Sequence, residues 1–300
     1  MLQGVHFLLT YSCTFECDHC FLYCKPGAPG TFTLRQLRKI IGDLKKMKSV
    51  TTVYFEGGEP SLYYPLMIEG IRLARAAGKR AGVVTNAYWA TCVEDAQLWL
   101  SPLKELGISD LSLSDDAFHQ GDDEVNTAKV ALKAARRLGL PTDTICIDAP
   151  TVAPGDPDSH TKGAPVVGGG VLFKGRAVDK LTADLPTRPL AEFVECPHED
   201  LADPSRVHVD CYGHVQVCQG VSIGNLWKTP LSRLMPAYDA SRHPICGPLL
   251  KGGPALLAKE YDLPRDGCFV DHCHACFTLR KMLIDRFPDC LAPRQVYGLE

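Results

Sequence analysis

Three cysteines near the N-terminus constrain this chain more than any other feature. Cys13, Cys17 and Cys20 follow a Cys-x3-Cys-x2-Cys spacing directly after the apolar run 5–9, which predicts a short buried strand. Thiolates are the ligands that iron–sulfur clusters select, so three of them on one loop can hold three corners of a cubic four-iron cluster. The fourth iron then keeps a position open for another molecule, as a catalytic metal does and a structural metal does not.

Two other metal sites compete with this interpretation. Zinc sites usually come as paired Cys-x2-Cys half-sites, which the spacing matches poorly. Cys24 would close a four-thiolate site for zinc or for a saturated electron-transfer cluster. A glycine motif farther along the chain favours the open cluster, and in that case Cys24 is not a ligand.

Length, charge and cysteine content narrow the class of protein. The chain has 300 residues, a net charge of −3 and no long apolar run, so we expect no nucleic-acid partner and no membrane partner. Fourteen cysteines are many for such a chain. The predicted strand and cysteine loop begin within about ten residues of Met1, which leaves no room for a signal peptide. We therefore expect a reducing, cytoplasmic location and metal ligation in place of disulfides.

Strand and helix patterns alternate over the first half of the chain. Apolar and β-branched runs predict strands at 5–9, 51–55, 81–85, 110–114 and 142–148, and helical periodicity predicts helices at 34–44, 66–77, 94–106 and 123–138. This alternation predicts a parallel sheet with helices outside it. A glycine-rich run at 166–177 is interpreted as a sixth strand. Beyond residue 180 prolines, loops and eight cysteines dominate, so we place a domain boundary there, between 1–180 and 181–300.

The motif Glu56-Gly57-Gly58-Glu59-Pro60 follows the second predicted strand. Adjacent glycines let a backbone approach a ligand closely. Together with the cysteine triad, the motif resembles the radical S-adenosylmethionine (SAM) superfamily. The resemblance implies a partial (β/α)6 barrel and a [4Fe-4S] cluster whose open iron chelates SAM. Reduction of the cluster then cleaves SAM into methionine and a 5′-deoxyadenosyl radical.

The resemblance also implies which residues bind SAM. Gly57, Gly58, Glu59 and Pro60 match the segment that contacts the methionine amino group, and His19 replaces the aromatic residue that usually precedes the third cysteine. Polar side chains at the ends of the third and fourth strands match the positions of ribose and carboxylate contacts; these are Asn86, Ser112, Ser114 and Asp115. Asn86 and Ser114 would alternatively satisfy turn backbone, and Asp115 and Asp116 would cap the next turn.

Residues that face the substrate are less clearly marked. Cys146 and Asp148 end the fifth predicted strand, and Arg176 lies in a Gly-Arg-Ala segment, so all three are candidates. A buried cysteine is usually only a small apolar residue. His119 and His160 are further candidate proton acceptors.

The cysteine-rich tail resembles the auxiliary-cluster domains called SPASM and twitch. Alternating apolar residues at 207–218 predict a hairpin, with Cys196 before its glycine turn and Cys218 after it. Further on, Cys273-x2-Cys276-x13-Cys290 resembles the ligand spacing of a related branch. The resemblance implies one auxiliary [4Fe-4S] cluster on Cys196, Cys218, Cys273 and Cys276, with a second one as an alternative on Cys211, Cys246, Cys268 and Cys290. A structural zinc site is the remaining alternative.

The sequence thus predicts a cytoplasmic radical SAM oxidoreductase that takes a hydrogen atom from an unactivated C–H bond. An auxiliary cluster would assist oxidation or anchor the substrate, and flavodoxin or ferredoxin would supply electrons. Peptide-modifying relatives often carry an N-terminal peptide-binding module, which we do not expect here, so a small-molecule substrate is preferred. The alternatives are a peptide-modifying maturase and a non-enzymatic iron–sulfur or zinc protein.

Overall fold

The computed structural model describes residues 1–121, 126–153 and 166–299. Its strands are β1 Gly4–Leu8, β2 Thr52–Glu56, β3 Arg80–Thr85, β4 Asp110–Ser114, β5 Thr142–Ile145, β6 Thr151–Ala153, β7 Val166–Gly168, β8 Arg188–Pro189, β9 Arg206–Asp210, β10 His214–Cys218, β11 Val221–Asn225 and β12 Cys268–Phe269. Its α-helices are α1 Leu34–Leu44, α2 Tyr64–Ala76, α3 Val93–Glu105, α4 Ala117–Gln120, α5 Thr127–Leu138, α6 Arg176–Lys180, α7 Leu231–Ala237, α8 Cys246–Glu260 and α9 His272–Leu283. Short 3-10 helices cover Pro60–Tyr63, Leu190–Glu192, Ala240–Arg242 and Arg294–Tyr297.

One eight-stranded sheet organises the protein, in the order β11-β10-β9-β1-β2-β3-β4-β5. Strands β1 to β5 are parallel to their neighbours, and helices α1, α2, α3 and α5 lie between them in sequence. The predicted α/β partial barrel is therefore confirmed. The predicted hairpin at 207–218 is also confirmed, because β9 pairs antiparallel with β10.

The sixth parallel strand is not the segment that the sequence analysis chose. β9 pairs parallel with β1, in register from Gly4 with Arg206 to Leu8 with Asp210. In the predicted segment 166–177 only the three residues of β7 are extended, and they pair with β6 in a separate hairpin. The interpretation of 166–177 as a barrel strand is wrong. Gly169 and Gly170 there have φ of 103° and 79°, left-handed conformations that end an extended strand.

Alternation along the strands separates two faces of the sheet. In β2, Val53 and Phe55 are buried against the outer layer, whereas Tyr54 and Glu56 on the opposite face are only partly buried. Such a period of two is expected for a sheet with helices on one face. The partly buried face points into the barrel, where Glu56 lines a large cavity.

Local signals explain several helix ends. Thr33 caps α1 with a capping box, in which its backbone N–H donates to Gln36 Oε1 at 2.7 Å. Gly139 ends α5 in the left-handed conformation with φ of 68°. Positions 123–125 of the predicted helix 123–138 lie outside the described residues, and the helix that the structure describes begins at Thr127.

The C-terminal region is joined to the barrel by its sheet and its core. β9 to β11 extend the main sheet, and a continuous apolar core runs from Val5 in β1 to Phe277 and Leu283 in α9. Separation of 181–300 as an auxiliary-cluster domain stays a prediction. Among the described residues, no helix is long and apolar enough to cross a membrane.

Candidate active site

A cavity of about 310 Å³ lies at the carboxyl ends of the parallel strands. Each of β1 to β5 contributes to its wall, which includes Leu8, Glu56, Thr85, Ser114 and Ile145. Carboxyl ends of parallel strands are where α/β folds place their functional residues. The loop after β1 closes one side of this cavity.

That loop brings the three predicted cluster cysteines to one wall. Cys13, Cys17 and Cys20 all line the cavity, and so does Cys24. The Phe15 N–H donates to Cys13 Sγ at 3.4 Å, and the Cys24 N–H donates to Cys20 Sγ at 3.3 Å. Backbone N–H groups that donate to sulfur stabilise the thiolate form, which is the form that binds metal.

Two of the three thiols of this loop lack the compensation that a buried anion needs. Burial raises the pKa of Cys13 to about 11 and raises the pKa of Cys17 as well. The pKa of Cys20 is lowered to about 6, mainly because of its side-chain hydrogen bond with Cys24. Only a bound cation would hold all three as thiolates at neutral pH, so this donor set fits an iron–sulfur cluster.

Arg176 holds the cysteine loop through hydrogen bonds to its backbone. Its guanidinium donates to the carbonyl oxygens of Cys17 and Cys24, both at 2.7 Å. The Arg176 backbone N–H donates to the Cys20 carbonyl oxygen at 2.9 Å, and the side chain is only 4% exposed. Arg176, predicted as a substrate contact, thus contacts the backbone of the cysteine loop.

The two glycines after β2 pack against the same loop. The Gly58 N–H donates to the Thr10 carbonyl oxygen at 2.8 Å, and the Glu59 N–H donates to the Ser12 carbonyl oxygen at 2.9 Å. A Cβ atom at position 58 would lie 2.0 Å from the Ser12 carbonyl oxygen. Gly57 and Gly58 line the cavity, so the motif both admits a ligand and allows the cysteine loop to approach.

The other two residues of the motif, Glu59 and Pro60, make contacts within the protein and do not line the cavity. Glu59 is fully buried and accepts hydrogen bonds from the Ser61 N–H, the Thr85 hydroxyl and the Asn86 N–H, each at 2.9 Å. Pro60 is the first residue of a 3-10 helix and does not line the cavity. Glu59 therefore ties the end of β2 to the end of β3.

Among the other predicted SAM residues, three line the cavity: His19, Asn86 and Ser114. Asn86 Nδ2 donates to Thr14 Oγ1 at 3.1 Å and lies 3.5 Å from Cys13 Sγ, so it joins β3 to the cysteine loop. His19 packs against Phe118 with ring centroids 4.6 Å apart and the rings tilted by 37°, and burial lowers the pKa of His19 to about 4.

Of the remaining candidates in the described residues, only His119 lines the cavity. Ser112 donates to Asp110, and Asp115 accepts from Asn126 at 2.8 Å. Cys146 is exposed, with its sulfur 3.6 Å from Asp148 Oδ1, whereas the neighbours Ile145 and Ile147 line the wall. His119 does line the cavity, where it contacts Asp116 at 2.8 Å. His160 lies outside the described residues.

A second cavity brings together the four cysteines predicted for the auxiliary cluster. Cys218 ends β10, and Cys196 lies in the loop after the 3-10 helix 190–192. Cys273 and Cys276 are three residues apart in α9 and so lie on one helix face. All four line the same cavity, which the sequence pattern alone could not establish.

The cysteines of the alternative second cluster are dispersed. Cys211 is buried beside Gly30, and Cys268 is exposed in β12. Cys246 is buried near Tyr238, and the Cys290 carbonyl oxygen accepts from the Ser222 N–H. None of them lines the four-cysteine cavity, and the structure does not bring them to another common cavity within the described ranges.

A group of three neighbouring side chains, of which Glu56 lines the cavity, was missed in the sequence. Glu56 Oε1 lies 3.2 Å from His208 Nε2, and Glu56 Oε2 lies 3.3 Å from His6 Nδ1. Although burial opposes ionisation, contacts with these histidines hold the pKa of Glu56 well below its usual range. His6 and His208 face each other across β1 and β9, a pairing that requires knowledge of strand order.

Comparisons with known proteins agree with this geometry. A profile of the radical SAM superfamily matches residues 7–164, more than half of the chain. The chain therefore belongs to the radical SAM superfamily. Its cofactors are the [4Fe-4S] cluster and SAM that this superfamily uses.

Individual relatives are distant. YydG of Bacillus subtilis (strain 168), a putative peptide biosynthesis protein, is 22% identical over 125 residues, which are 42% of this chain and 39% of YydG. The match thus spans well under half of that relative. Among solved structures, BtrN in complex with AdoMet and 2-DOIA is 16% identical with a TM-score of 0.52, covering 78% of this chain and 82% of BtrN. AdoMet-bound anSMEcpe is 11% identical with a TM-score of 0.49, covering 96% of this chain and 98% of anSMEcpe. The similarity to BtrN shows a shared fold.

Proposed function

We propose that this enzyme generates a radical at the three-cysteine loop and uses it to remove a hydrogen atom from a substrate C–H bond in the adjoining cavity. The observation that carries this proposal is the common wall formed by Cys13, Cys17, Cys20 and the two glycines of the Gly-Gly-Glu-Pro motif. Three thiols leave one iron of a four-iron cluster for SAM, and no closed zinc or electron carrier needs a cavity beside it.

The side chains of the protein have three tasks in this reaction. Cys13, Cys17 and Cys20 would hold the cluster, which together with SAM supplies a 5′-deoxyadenosyl radical when bound. Gly57, Gly58 and Asn86 line the place beside it and would position SAM. Apolar wall residues such as Leu8, Val84 and Ile147 exclude water and so protect a reactive species from quenching.

A peptide segment is the substrate class that the cavity mouth favours. Phe21, Ile145 and Leu172 line the cavity and are 37%, 40% and 37% exposed, an apolar rim that a small polar metabolite would not cover. The name of the relative YydG also refers to peptide biosynthesis. A small-molecule substrate is the second candidate, supported by a cavity volume of about 310 Å³.

The auxiliary cavity completes the proposal. Cys196, Cys218, Cys273 and Cys276 would hold a four-thiolate cluster, which suits electron transfer during oxidation of the substrate. Zinc on the same four thiols is the alternative. Iron content distinguishes the two, because a second cluster raises the iron from about four to about eight per chain.

SAM cleavage by the reconstituted enzyme tests the central proposal. Anaerobically reconstituted protein incubated with SAM and dithionite should release 5′-deoxyadenosine and methionine, and Cys17→Ala should reduce the rate by at least about a hundredfold. Candidate peptides deuterated at single C–H positions would then be screened for transfer of deuterium into 5′-deoxyadenosine. Cleavage of SAM at an unchanged rate by Cys17→Ala would contradict the assignment of the loop.

A further inference from the structure

Two fully buried cations face the four-cysteine cavity. Lys174 is 3% exposed and Arg280 is 1% exposed, and both line the cavity with Cys196, Cys218, Cys273 and Cys276. Lysine and arginine are almost never buried to this extent unless they are paired with anions. The anions that justify their burial should therefore be near.

The described residues supply too few anions to neutralise these two cations. Lys174 Nζ lies 3.5 Å from Glu199 Oε1 and 4.0 Å from Cys218 Sγ. Glu199 is shared, because it also lies 3.4 Å from Arg206 Nη2. Lys174 thus reaches one shared carboxylate and one sulfur.

Arg280 has no carboxylate partner among the described residues, and its side chain contacts the Cys276 thiol. Its Nη1 donates to the Gln219 carbonyl oxygen at 2.8 Å and to the Tyr297 hydroxyl at 3.1 Å, both neutral groups. Its Nε is buried and has no hydrogen-bond partner within the described ranges. A buried donor without an acceptor costs about 1–3 kcal/mol, and more when it is charged. An acceptor held by the four thiols would remove this cost.

A cluster held by four thiolates supplies the missing negative charge. Its net charge is negative and grows by one unit on reduction, so a fixed buried cation stabilises the reduced form more than the oxidised form. We propose that Lys174 and Arg280 are fixed charge partners of a four-thiolate cluster in this cavity and raise its reduction potential. With all four positions filled by cysteine and both cations turned toward it, the site is suited to electron transfer and not to binding substrate.

The inference rests on the proposed function in one respect, the presence of a cluster in this cavity. Iron analysis of the reconstituted holoenzyme tests that part alone. About four irons per chain would overturn the auxiliary cluster and this inference together, while SAM cleavage at the loop would stand. About eight irons would support the cluster and leave the role of the cations to a separate measurement.

The separate measurement is an anaerobic redox titration followed by electron paramagnetic resonance. It would use the cluster signal that addition of SAM does not perturb. Lys174→Met and Arg280→Met should each shift the one-electron equilibrium at least tenfold toward the oxidised form, which is a fall of 59 mV. Glu199→Gln removes an anion next to Lys174 and should shift the equilibrium in the opposite direction.

A matched control separates charge from packing. Lys79 is also buried, 6% exposed, but it donates to the carbonyl oxygens of Met47 and Val50 and does not line the cavity. Lys79→Met should leave the potential unchanged. Opposite shifts of the reduction potential in Lys174→Met and Glu199→Gln would support the inference. If the two side chains had only a structural role, both substitutions would shift the potential in the same direction, or neither would shift it. Glu199→Gln replaces Lys174→Met in this test if the latter is too unstable to isolate, because Glu199→Gln preserves the shape of the side chain and still changes the charge beside Lys174. An unchanged reduction potential in Glu199→Gln would overturn the inference.

Discussion

The two cysteine sites of this protein differ less in their ligands than in what surrounds them. At the N-terminal loop three thiols border a cavity of about 310 Å³, and the nearby cation Arg176 is turned away to backbone carbonyls. At the C-terminal cavity, which holds only about 20 Å³, four partly buried thiols share the wall with Lys174 and Arg280. An open site with free volume suits binding and radical chemistry, whereas a narrow site with fixed cations suits electron storage.

The placement of the nearby cation distinguishes two uses of the same cysteine ligand. Arg176 acts on the shape of a loop, because its guanidinium donates to the carbonyl oxygens of Cys17 and Cys24 and pairs with Glu16 of the same loop at 3.7 Å. Lys174, two residues earlier, lies 4.0 Å from a sulfur instead. Lys174 and Arg176 are thus close in sequence but serve different cysteine sites.

Removal of one auxiliary ligand is expected to give the largest contrast between the sites. Cys276→Ala should reduce the iron content to about four per chain and slow substrate oxidation by about a hundredfold or more. The rate of SAM cleavage without substrate should stay within about twofold of the wild-type rate. Cys268→Ala is the control, since Cys268 is exposed and lies outside the cavity. Loss of SAM cleavage in Cys276→Ala would mean that the two sites are not separate.

A methyl group at Gly58 should damage the open site through packing. The new Cβ would lie 2.0 Å from the Ser12 carbonyl oxygen, so the cysteine loop must move. We expect Gly58→Ala to lower the free energy of unfolding by about 4 kcal/mol or to prevent cluster loading at the loop, with auxiliary iron retained. Gly42→Ala is a matched control, because no atom lies within 4 Å of its Cβ position in α1, where alanine favours the helix by roughly 1 kcal/mol. Equal stability of the two variants would contradict the proposed packing.

Arg176 is expected to contribute less than Gly58, through hydrogen bonds to the loop. Arg176→Met would leave the carbonyl oxygens of Cys17 and Cys24 without these donors, which should cost roughly 2–4 kcal/mol in urea unfolding. SAM cleavage should fall by about tenfold as the loop loosens. Arg38→Met removes only an exposed pair with Glu69 at 3.7 Å and should change stability by less than about 0.5 kcal/mol. If Arg176→Met is as stable as Arg38→Met, the arginine does not hold the loop.

The sequence predicted those features that depend on local pattern. The cysteine spacing, the glycine motif and five strand positions are short-range signals, and each led to a correct element or to a residue on the cavity wall, Ser114 among them. The alternation in β5 also contained a usable signal. If Ile145 faces the cavity, then Cys146 should face away, as it does.

Long-range packing decided the rest. The strand beside β1 is β9, some 200 residues later in the chain, and no local pattern marks it as the partner of β1. The burial of Lys174 likewise depends on α9 and on the loop that contains Glu199, which meet only in the folded protein. For that reason the four cysteines that share this cavity were predicted from the sequence, but the cations beside them were not.

A buried hydrogen-bond network connects the two regions. Asp210, at the end of β9, accepts from the Tyr11 hydroxyl at 3.2 Å and from Gln216 Nε2 at 3.0 Å. Gln216 Oε1 accepts from the Gly220 N–H at 2.8 Å, and the Gly220 carbonyl oxygen accepts from the Tyr297 hydroxyl, also at 2.8 Å. Since Tyr297 contacts Arg280, the network runs from the residue before the cysteine loop to the auxiliary cavity.

The pH dependence of stability gives the smallest expected effect and tests this connection. Burial raises the pKa of Asp210 to about 7, from an ordinary value of 3.8. A carboxyl group with a raised folded-state pKa favours folding when protonated, so its contribution is complete below pH 3.8 and is lost as the pH rises to 7. Asp210→Asn stays neutral, so wild-type protein should lose about 2 kcal/mol more unfolding free energy than Asp210→Asn between pH 5 and pH 7 in anaerobic urea titrations, with the difference growing by about 1.4 kcal/mol per pH unit near the middle of this range. An equal loss in both proteins would place the responsible titrating group elsewhere in the protein.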